Sequence, residues 1–250
     1  MKKIFVLLIT IFLTVFIIFG CAPPNGNEGE GEGEGEIEKQ VVLVELFIQE
    51  GCPNCAIIEP YLENMAVNDY SRDEMILVEL APYGIYSNPE VLDRYKWYLP
   101  EKSDRSTPNT LFNGMTDRIY GSAGYSNFKT RIDAQLNYTP TIHLEATRKT
   151  TAEGTVITGK VKNISNIELT GLAVNGMVFK DRKKSGFRYS VIDIFEDEKY
   201  YISSLVPGEV IDFTINIEGL NWDGQGLHGV VFVQSIHHTK KIIRQSLYIN

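Results

Sequence analysis

The chain has 250 residues, of which 43% are hydrophobic and 11% aromatic, and its formal net charge is −8. This hydrophobic content excludes a chain that is disordered throughout. Residues 22–38 contain six glutamates and no basic residue, so residues 39–250 carry a net charge of only −4. A mildly acidic body lacks the dense Lys/Arg surface that binds phosphates, which argues against a nucleic-acid partner. The segment 39–250 also exceeds the usual size of one domain, about 100–150 residues, which favours two domains.

The first 20 residues have the pattern of a secretory signal. Lys2 and Lys3 precede an uncharged, mainly apolar stretch at 4–19, which is shorter than the roughly 20 residues that cross a bilayer comfortably as a helix. Gly20-Cys21 follows, and this ending resembles the bacterial lipoprotein box, in which a cysteine after a small residue is lipidated. The resemblance implies that Cys21 is lipidated, and an uncleaved signal anchor is the alternative. Both alternatives predict that the body lies outside the cytoplasm.

Residues 21–39 are predicted to be a flexible tether. Glycine and glutamate alternate through much of this segment and leave almost nothing apolar to bury, which favours a solvated chain. Calcium binding by these glutamates is an alternative, but the alternation lacks the fixed loop geometry of a calcium site. With Cys21 assigned to the anchor, Cys52 and Cys55 remain as one pair in the body.

Strands and helices are predicted to alternate through residues 40–139, in the order βαβαββα. The apolar run at 41–47 predicts a strand covered on both faces, and 75–80 predicts a second. Asn88-Pro89 is a signal for the start of a helix, because asparagine caps helices and proline suits the first helical position. Asn113-Gly114 predicts a tight hairpin turn. This pattern indicates an α/β domain with a mixed central sheet.

The motif Cys52-x-x-Cys55 lies between the first predicted strand and the first predicted helix. Pro60 follows inside that helix, and Thr107-Pro108 precedes a later strand and the predicted hairpin. This layout resembles the thioredoxin superfamily over about 100 residues of the chain. The resemblance implies a thioredoxin-like fold for residues 40–139 and thiol–disulfide chemistry at the cysteine pair.

Thiol chemistry is favoured by the predicted position of the cysteines at a helix N-terminus. Free backbone N–H groups and the helix dipole stabilise an anion there, so Cys52 is the expected nucleophile. Cys55, one turn further on, is the expected resolving thiol that attacks the mixed disulfide and releases the partner. The resemblance implies that Pro108 is cis and lies against the pair. The residues expected to dock a substrate are Pro53, Asn54 and Thr107.

Two positions differ from the thioredoxin pattern. The family commonly places a buried acid late in the strand before the cysteine motif. Glu45 lies seven residues before Cys52, with a loop one residue longer than in thioredoxin, and it is expected to transfer protons to and from Cys55. A solvated edge position for Glu45 is the alternative. Glu50-Gly51 stands where the family has an aromatic residue before the first cysteine. The reduction potential and the partner therefore do not follow from the resemblance.

No metal and no other cofactor is predicted. A structural zinc ion needs four ligands, and the body offers two thiols, with its histidines far away in sequence. The histidines are His143, His228, His237 and His238. Copper held by the two thiolates is an alternative that would need a nearby histidine or methionine. A permanently closed, inert disulfide is the other alternative for the cysteine pair.

Residues 140–250 show alternating apolar and polar positions, with turn residues about every dozen positions. This pattern predicts seven or eight antiparallel strands with one buried face each, as in an immunoglobulin-like or fibronectin-like β-sandwich. The sequence thus predicts a membrane-tethered thiol–disulfide oxidoreductase that acts on exported proteins or exchanges electrons with a membrane redox partner. The rival prediction is a binding lipoprotein of the cell envelope that uses the fold only as a scaffold.

Overall fold

The computed structural model of the protein describes residues 38–183, 186–223 and 226–250. The predicted signal at 1–20, the predicted lipidation site Cys21 and the tether up to residue 37 lie outside the described residues. Glu38–Asn250 form one compact unit. In this described part of the chain, no helix has both the length and the apolar character needed to span a membrane.

The helices α1 and α2 begin at sequence signals for helix starts. Proline is the first residue of both, and Asn88 caps α2 by accepting a hydrogen bond from the Glu90 N–H at 2.8 Å. Proline suits this position because its missing N–H would have no helical partner. The helices are α1 (Pro53–Asn64), α2 (Pro89–Tyr98) and α3 (Tyr125–Leu136). The strands are β1 (Val42–Gln49), β2 (Met75–Tyr83), β3 (Asn109–Phe112), β4 (Asp117–Tyr120), β5 (Ile142–Thr150), β6 (Gly154–Asn163), β7 (Leu169–Asp181), β8 (Tyr189–Ile194), β9 (Tyr200–Leu205), β10 (Val210–Glu218), β11 (Leu227–Ser235) and β12 (Ile243–Ile249).

Nine of these strands belong to a single sheet. Its order is β12-β11-β7-β8-β2-β1-β3-β4, and β9 also pairs with β7. Strand β1 is parallel to β2 and antiparallel to β3, and β2 meets β8 in parallel at Glu79 and Ser190. Strands β10, β6 and β5 form a separate antiparallel sheet. The first half of the chain therefore shares its sheet with strands from the second half.

Strand β7 is buried on both faces and contributes to two hydrophobic clusters. Met177 and Phe179 pack in the cluster that contains the apolar residues of β1 and β2. Val174 and Val178 pack in a second cluster with the apolar residues of β5, β6 and β10. Alternate side chains of a strand point to opposite faces, and β11 divides its side chains between the two clusters in the same way. Both halves of the chain therefore bury apolar surface in the first cluster.

The predicted fold class, a thioredoxin-like α/β domain followed by an immunoglobulin-like or fibronectin-like β-sandwich, is wrong. The described residues form a mainly β structure with twelve strands in two sheets and three α-helices. Strands β7, β8, β11 and β12 extend the sheet of β1–β4, and side chains from both halves fill its core. The prediction failed because it gave each second-half strand only one buried face, whereas β7 and β11 have two.

Candidate functional site

Cys52 and Cys55 form a disulfide at the N-terminal end of α1. Cys52 is the N-cap residue of the helix, and its Sγ accepts a hydrogen bond from the Cys55 N–H at 3.1 Å. Cys52 is partly exposed, whereas Cys55 is only 1% exposed. An incoming sulfur therefore reaches Cys52 first, and Cys55 is shielded from solvent.

The loop before β3 lies against the disulfide. The carbonyl oxygen of Thr107 is 3.7 Å from the Sγ of Cys52, and the Thr107–Pro108 peptide bond is cis. Pro108 is buried, and its carbonyl accepts a hydrogen bond from the Gly121 N–H at 2.9 Å. The fold thus brings the cysteine pair together with Thr107-Pro108, although 55 positions separate Thr107 from Cys52 in the sequence.

The surface beside the disulfide exposes residues from two segments. Pro53 and Asn54, which were expected to dock a substrate, are exposed, and Ile57 is half exposed on the next turn of α1. Gly84 follows β2 and lies beside Glu50, since a Cβ built on Gly84 would be 3.8 Å from the Glu50 Cβ. The loop that contains Gly84 also exposes the large apolar side chains of Tyr83, Ile85 and Tyr86. Sequence analysis missed this loop, because exposed apolar residues have no periodic signal.

Glu45 lies in a buried ion pair with α2. Its carboxylate accepts hydrogen bonds from the Arg94 Nε at 2.6 Å and from the Tyr98 hydroxyl at 2.7 Å. Arg94 and Gln234 of β11 also donate to the Tyr98 oxygen, at 2.7 and 2.8 Å. Glu45 is 0% exposed, which excludes the solvated edge position. Within the described residues, all hydrogen bonds of its carboxylate run to α2, so the structure does not place this acid among the groups that contact the cysteines.

Three other carboxylates lie buried beneath α1. Glu59 and Glu63 of α1 are 8% and 4% exposed, and Glu79 of β2 is 0% exposed. They accept hydrogen bonds from the backbone N–H groups of residues 186–189, at N···O distances of 2.6–3.4 Å. These bonds connect the helix that carries the disulfide to the second half of the chain. The sequence analysis did not predict this cluster. The one sign of burial for Glu59 and Glu63 was that each directly follows an apolar residue of the buried stripe of α1, Ile58 or Leu62.

Burial raises the pKa of Glu59 and of Glu79 in this cluster. Burial raises the pKa of Glu79 well above its usual range, and repulsion from Glu63 raises it further. Burial also raises the pKa of Glu59, against a lowering by its hydrogen bond from the Phe187 backbone. The Oε1 atom of Glu79 is buried and has no hydrogen-bond partner in the part of the chain that the structure describes. A neutral Glu79 is therefore favoured, because a buried charge without a counter-ion is costly.

The histidines of the second half do not assemble a metal site with the cysteines. In the described ranges, no group of three or more His, Cys, Asp or Glu side chains has an arrangement that could hold a metal ion. His143 instead contacts Glu38 and Glu145, with N···O distances of 2.5 and 2.9 Å.

No protein-family model and no curated protein matches this sequence. Among solved structures, the chain is similar to HBP35 of Porphyromonas gingivalis, with a TM-score of 0.67 and 12% sequence identity; the match covers 84% of this chain and 74% of that one. It is also similar to a structural-genomics protein from Agrobacterium tumefaciens, with a TM-score of 0.55 and 16% identity, over 84% and 94% of the two chains. These likenesses concern the fold alone. Because each covers more of the chain than either half contains, the shared fold includes both halves.

A domain of the outer membrane lipoprotein Omp28 from Porphyromonas gingivalis matches 45% of this chain and 89% of its own length, with 14% identity. Its TM-score of 0.32 is too low to support an argument about this protein.

Proposed function

We propose that this protein is a thiol–disulfide oxidoreductase that acts on exported proteins through Cys52 and Cys55. The Cys52 thiolate attacks a substrate disulfide, so that a Cys52–substrate disulfide forms and one substrate sulfur leaves as a thiolate and takes up a proton. Cys55 then loses its proton and attacks Cys52, which closes the Cys52–Cys55 disulfide and releases the second substrate thiolate. Two electrons pass to the substrate. The same steps in reverse oxidise a substrate dithiol.

The observation that carries this proposal is the unequal environment of the two sulfurs at the start of α1. Cys52 is accessible, and the Cys55 N–H at 3.1 Å is placed to stabilise a thiolate on it. Cys55 is shielded, so it reacts within the protein and not with a second partner. A purely structural disulfide needs neither an accessible sulfur nor a helix N-terminus. The exposed apolar side chains that follow Tyr83 supply a surface on which a polypeptide substrate can dock.

The proposed location is extracytoplasmic, with the protein held at a membrane by a lipid on Cys21. Support comes from the sequence: a basic start, an apolar segment and then a cysteine after a small residue. The location also fits the chemistry, because disulfides persist outside the reducing cytosol. The substrates are then thiols or disulfides of exported proteins, or a membrane redox partner.

The proposal is tested by trapping mixed disulfides. A Cys55→Ser variant keeps the attacking sulfur but cannot resolve the intermediate, so it should accumulate covalent adducts with exported proteins that dithiothreitol releases. The matched control is Cys52→Ser, which retains only the shielded sulfur and should trap far less. If neither variant traps a partner, the disulfide is structural, and the rival function of a binding lipoprotein of the cell envelope is favoured.

A further inference from the structure

A pocket of about 210 Å³, to which mainly polar residues contribute, lies at the end of β1 opposite the disulfide. Gln40, just before β1, lines it, whereas Cys52 follows the other end of this eight-residue strand. Eight residues of strand span about 26 Å, so the pocket is separate from the disulfide. Its lining includes Gln40, Asn113, Gln135, Thr139, Thr141 and Arg244, and none of the described residues that form it is acidic.

Arg244 supplies the positive charge of this pocket. Its Nε donates a hydrogen bond to the Ser235 hydroxyl at 2.9 Å, and its guanidinium forms no salt bridge within the described residues. Burial lowers the pKa of Arg244, and no carboxylate among the described residues offsets this effect. Charged groups that lose water are normally paired. The terminal nitrogens of the guanidinium, which have no acceptor among the described residues, are therefore available as donors to the pocket.

Gln135 adds a neutral donor that is held in place by its neighbours. The Asn113 Oδ1 accepts a hydrogen bond from the Leu43 N–H at 2.9 Å, which fixes the Asn113 carboxamide. The Asn113 Nδ2 then faces the Gln135 Oε1 at 3.5 Å. Gln135 is 3% exposed, and its NH₂ group has no hydrogen-bond acceptor within the described residues. The side-chain amide of buried Gln135 and the half-buried guanidinium of Arg244, neither of whose terminal NH₂ groups has an acceptor among the described residues, thus line the same pocket.

We propose that this pocket binds a small oxyanion, a carboxylate or phosphate group, between Arg244 and Gln135. A guanidinium fits such groups because its N–H donors match two oxygens at once. The Gln135 NH₂ group and the hydroxyls of Thr139 and Thr141 supply further donors around the anion. The volume equals that of about seven water molecules, which suits a small anion or one end of a longer ligand. This site does not depend on the proposed redox function.

The test is a titration of the full-length protein, followed by ¹H–¹⁵N spectra of the arginine Nε groups at constant ionic strength. Potassium phosphate, sodium acetate and methyl glucoside are the probes, and sodium chloride is the salt control. Phosphate, acetate or both should shift the Arg244 signal to saturation, and the tighter of the two identifies the group that the site prefers. In the Arg244→Gln variant, binding is followed by the side-chain NH₂ signal of Gln135, which lines the same pocket, and it should be weaker by about tenfold or more, since a charge-assisted hydrogen bond is lost.

Two further variants keep the test decisive. Arg244→Lys retains the charge without the planar fork, so its affinity should fall between those of the wild type and Arg244→Gln. Arg131→Gln removes an arginine that already pairs with Asp117 on the surface, and it should change the affinity less than about twofold. The proposal is overturned if chloride produces the same shift, if only methyl glucoside saturates, or if Arg244→Gln and Arg131→Gln bind the anion equally.

Discussion

The ion pair between Glu45 and Arg94 allows a sharp test of the fold, because it joins β1 to α2 and reaches β11 through Tyr98 and Gln234. The side chains of Glu45 and Arg94 are 0% and 2% exposed. Arg94→Met would leave the Glu45 carboxylate buried without its counter-ion. Removing one partner of a buried pair costs about 3–5 kcal/mol, which is a large part of the roughly 5–15 kcal/mol that stabilises a typical protein.

The free energy of unfolding is measured by urea denaturation, monitored by circular dichroism and by tryptophan fluorescence. The double variant Glu45→Gln/Arg94→Met removes both charges and keeps an acceptor for the Tyr98 hydroxyl, so it should recover at least half of the loss. A loss below about 1 kcal/mol for Arg94→Met, or a double variant less stable than the single one, would refute this reasoning. In a variant that retains only Trp97 and in one that retains only Trp222, the fluorescence transition should coincide with the circular-dichroism transition of the same variant, because the two halves share a core.

Three further predictions concern groups outside the disulfide. The pKa of Glu79 is raised in the folded state, so the free energy of unfolding should fall as the pH rises above about 4.5 through that pKa, by at most about 1.4 kcal/mol per pH unit. Glu79→Gln should abolish this fall. The same pH dependence of the free energy of unfolding in both proteins would contradict the prediction. Hydrogen bonds to two glutamates raise the pKa of His143, so protonated His143 should stabilise the protein below about pH 6.5, and this contribution should be lost above the folded pKa. His143→Gln should therefore lower the free energy of unfolding, measured by urea denaturation, at pH 6 but not at pH 9. An equal decrease at both pH values would contradict this. A Cβ on Gly229 would lie 2.3 Å from the Trp222 ring, so Gly229→Ala should lower the free energy of unfolding in urea by about 1–3 kcal/mol. The control is Gly124→Ala, whose Cβ would meet nothing within 4 Å and which should lower it less.

Local elements of the first half could be predicted because their signals are short-range. The apolar run at 41–47 corresponds to β1, and Asn88-Pro89 marks the observed start of α2. The motif at Cys52 lies at the start of α1, and the Thr107–Pro108 bond is cis. Each of these features depends on neighbouring residues or on a recognisable motif. None of them specifies which distant strand completes the sheet.

The joint core of the two halves could not be predicted from alternation alone. Residues 172–179 and 230–233 are nearly continuous apolar runs, which indicate strands buried on both faces. The alternation of polar and apolar positions in the neighbouring strands instead predicts a sandwich with one buried face per strand. The second face of β7 and β11 is covered by residues from the first half of the chain.

The environment of Glu45 depends on similarly distant partners. Its counter-ion Arg94 is 49 positions away and its indirect neighbour Gln234 lies in β11. An acidic residue in an otherwise apolar strand indicates a buried cation or hydrogen-bond donor beside it, but the sequence does not identify that residue. The buried cluster of Glu59, Glu63 and Glu79 is hidden for the same reason, since its donors come from the backbone of residues 186–189.

The most direct test of the proposed redox function is the alkylation of each cysteine in the folded, reduced protein. After mild reduction, iodoacetamide is added at pH 7 and the modified residues are quantified over time by mass spectrometry. Because Cys52 is accessible at a helix N-terminus and Cys55 is 1% exposed, Cys52 should react at least about tenfold faster than Cys55 and faster than free cysteine. Equal and slow modification of the two sulfurs, or a disulfide that resists reduction until the protein unfolds, would contradict the account.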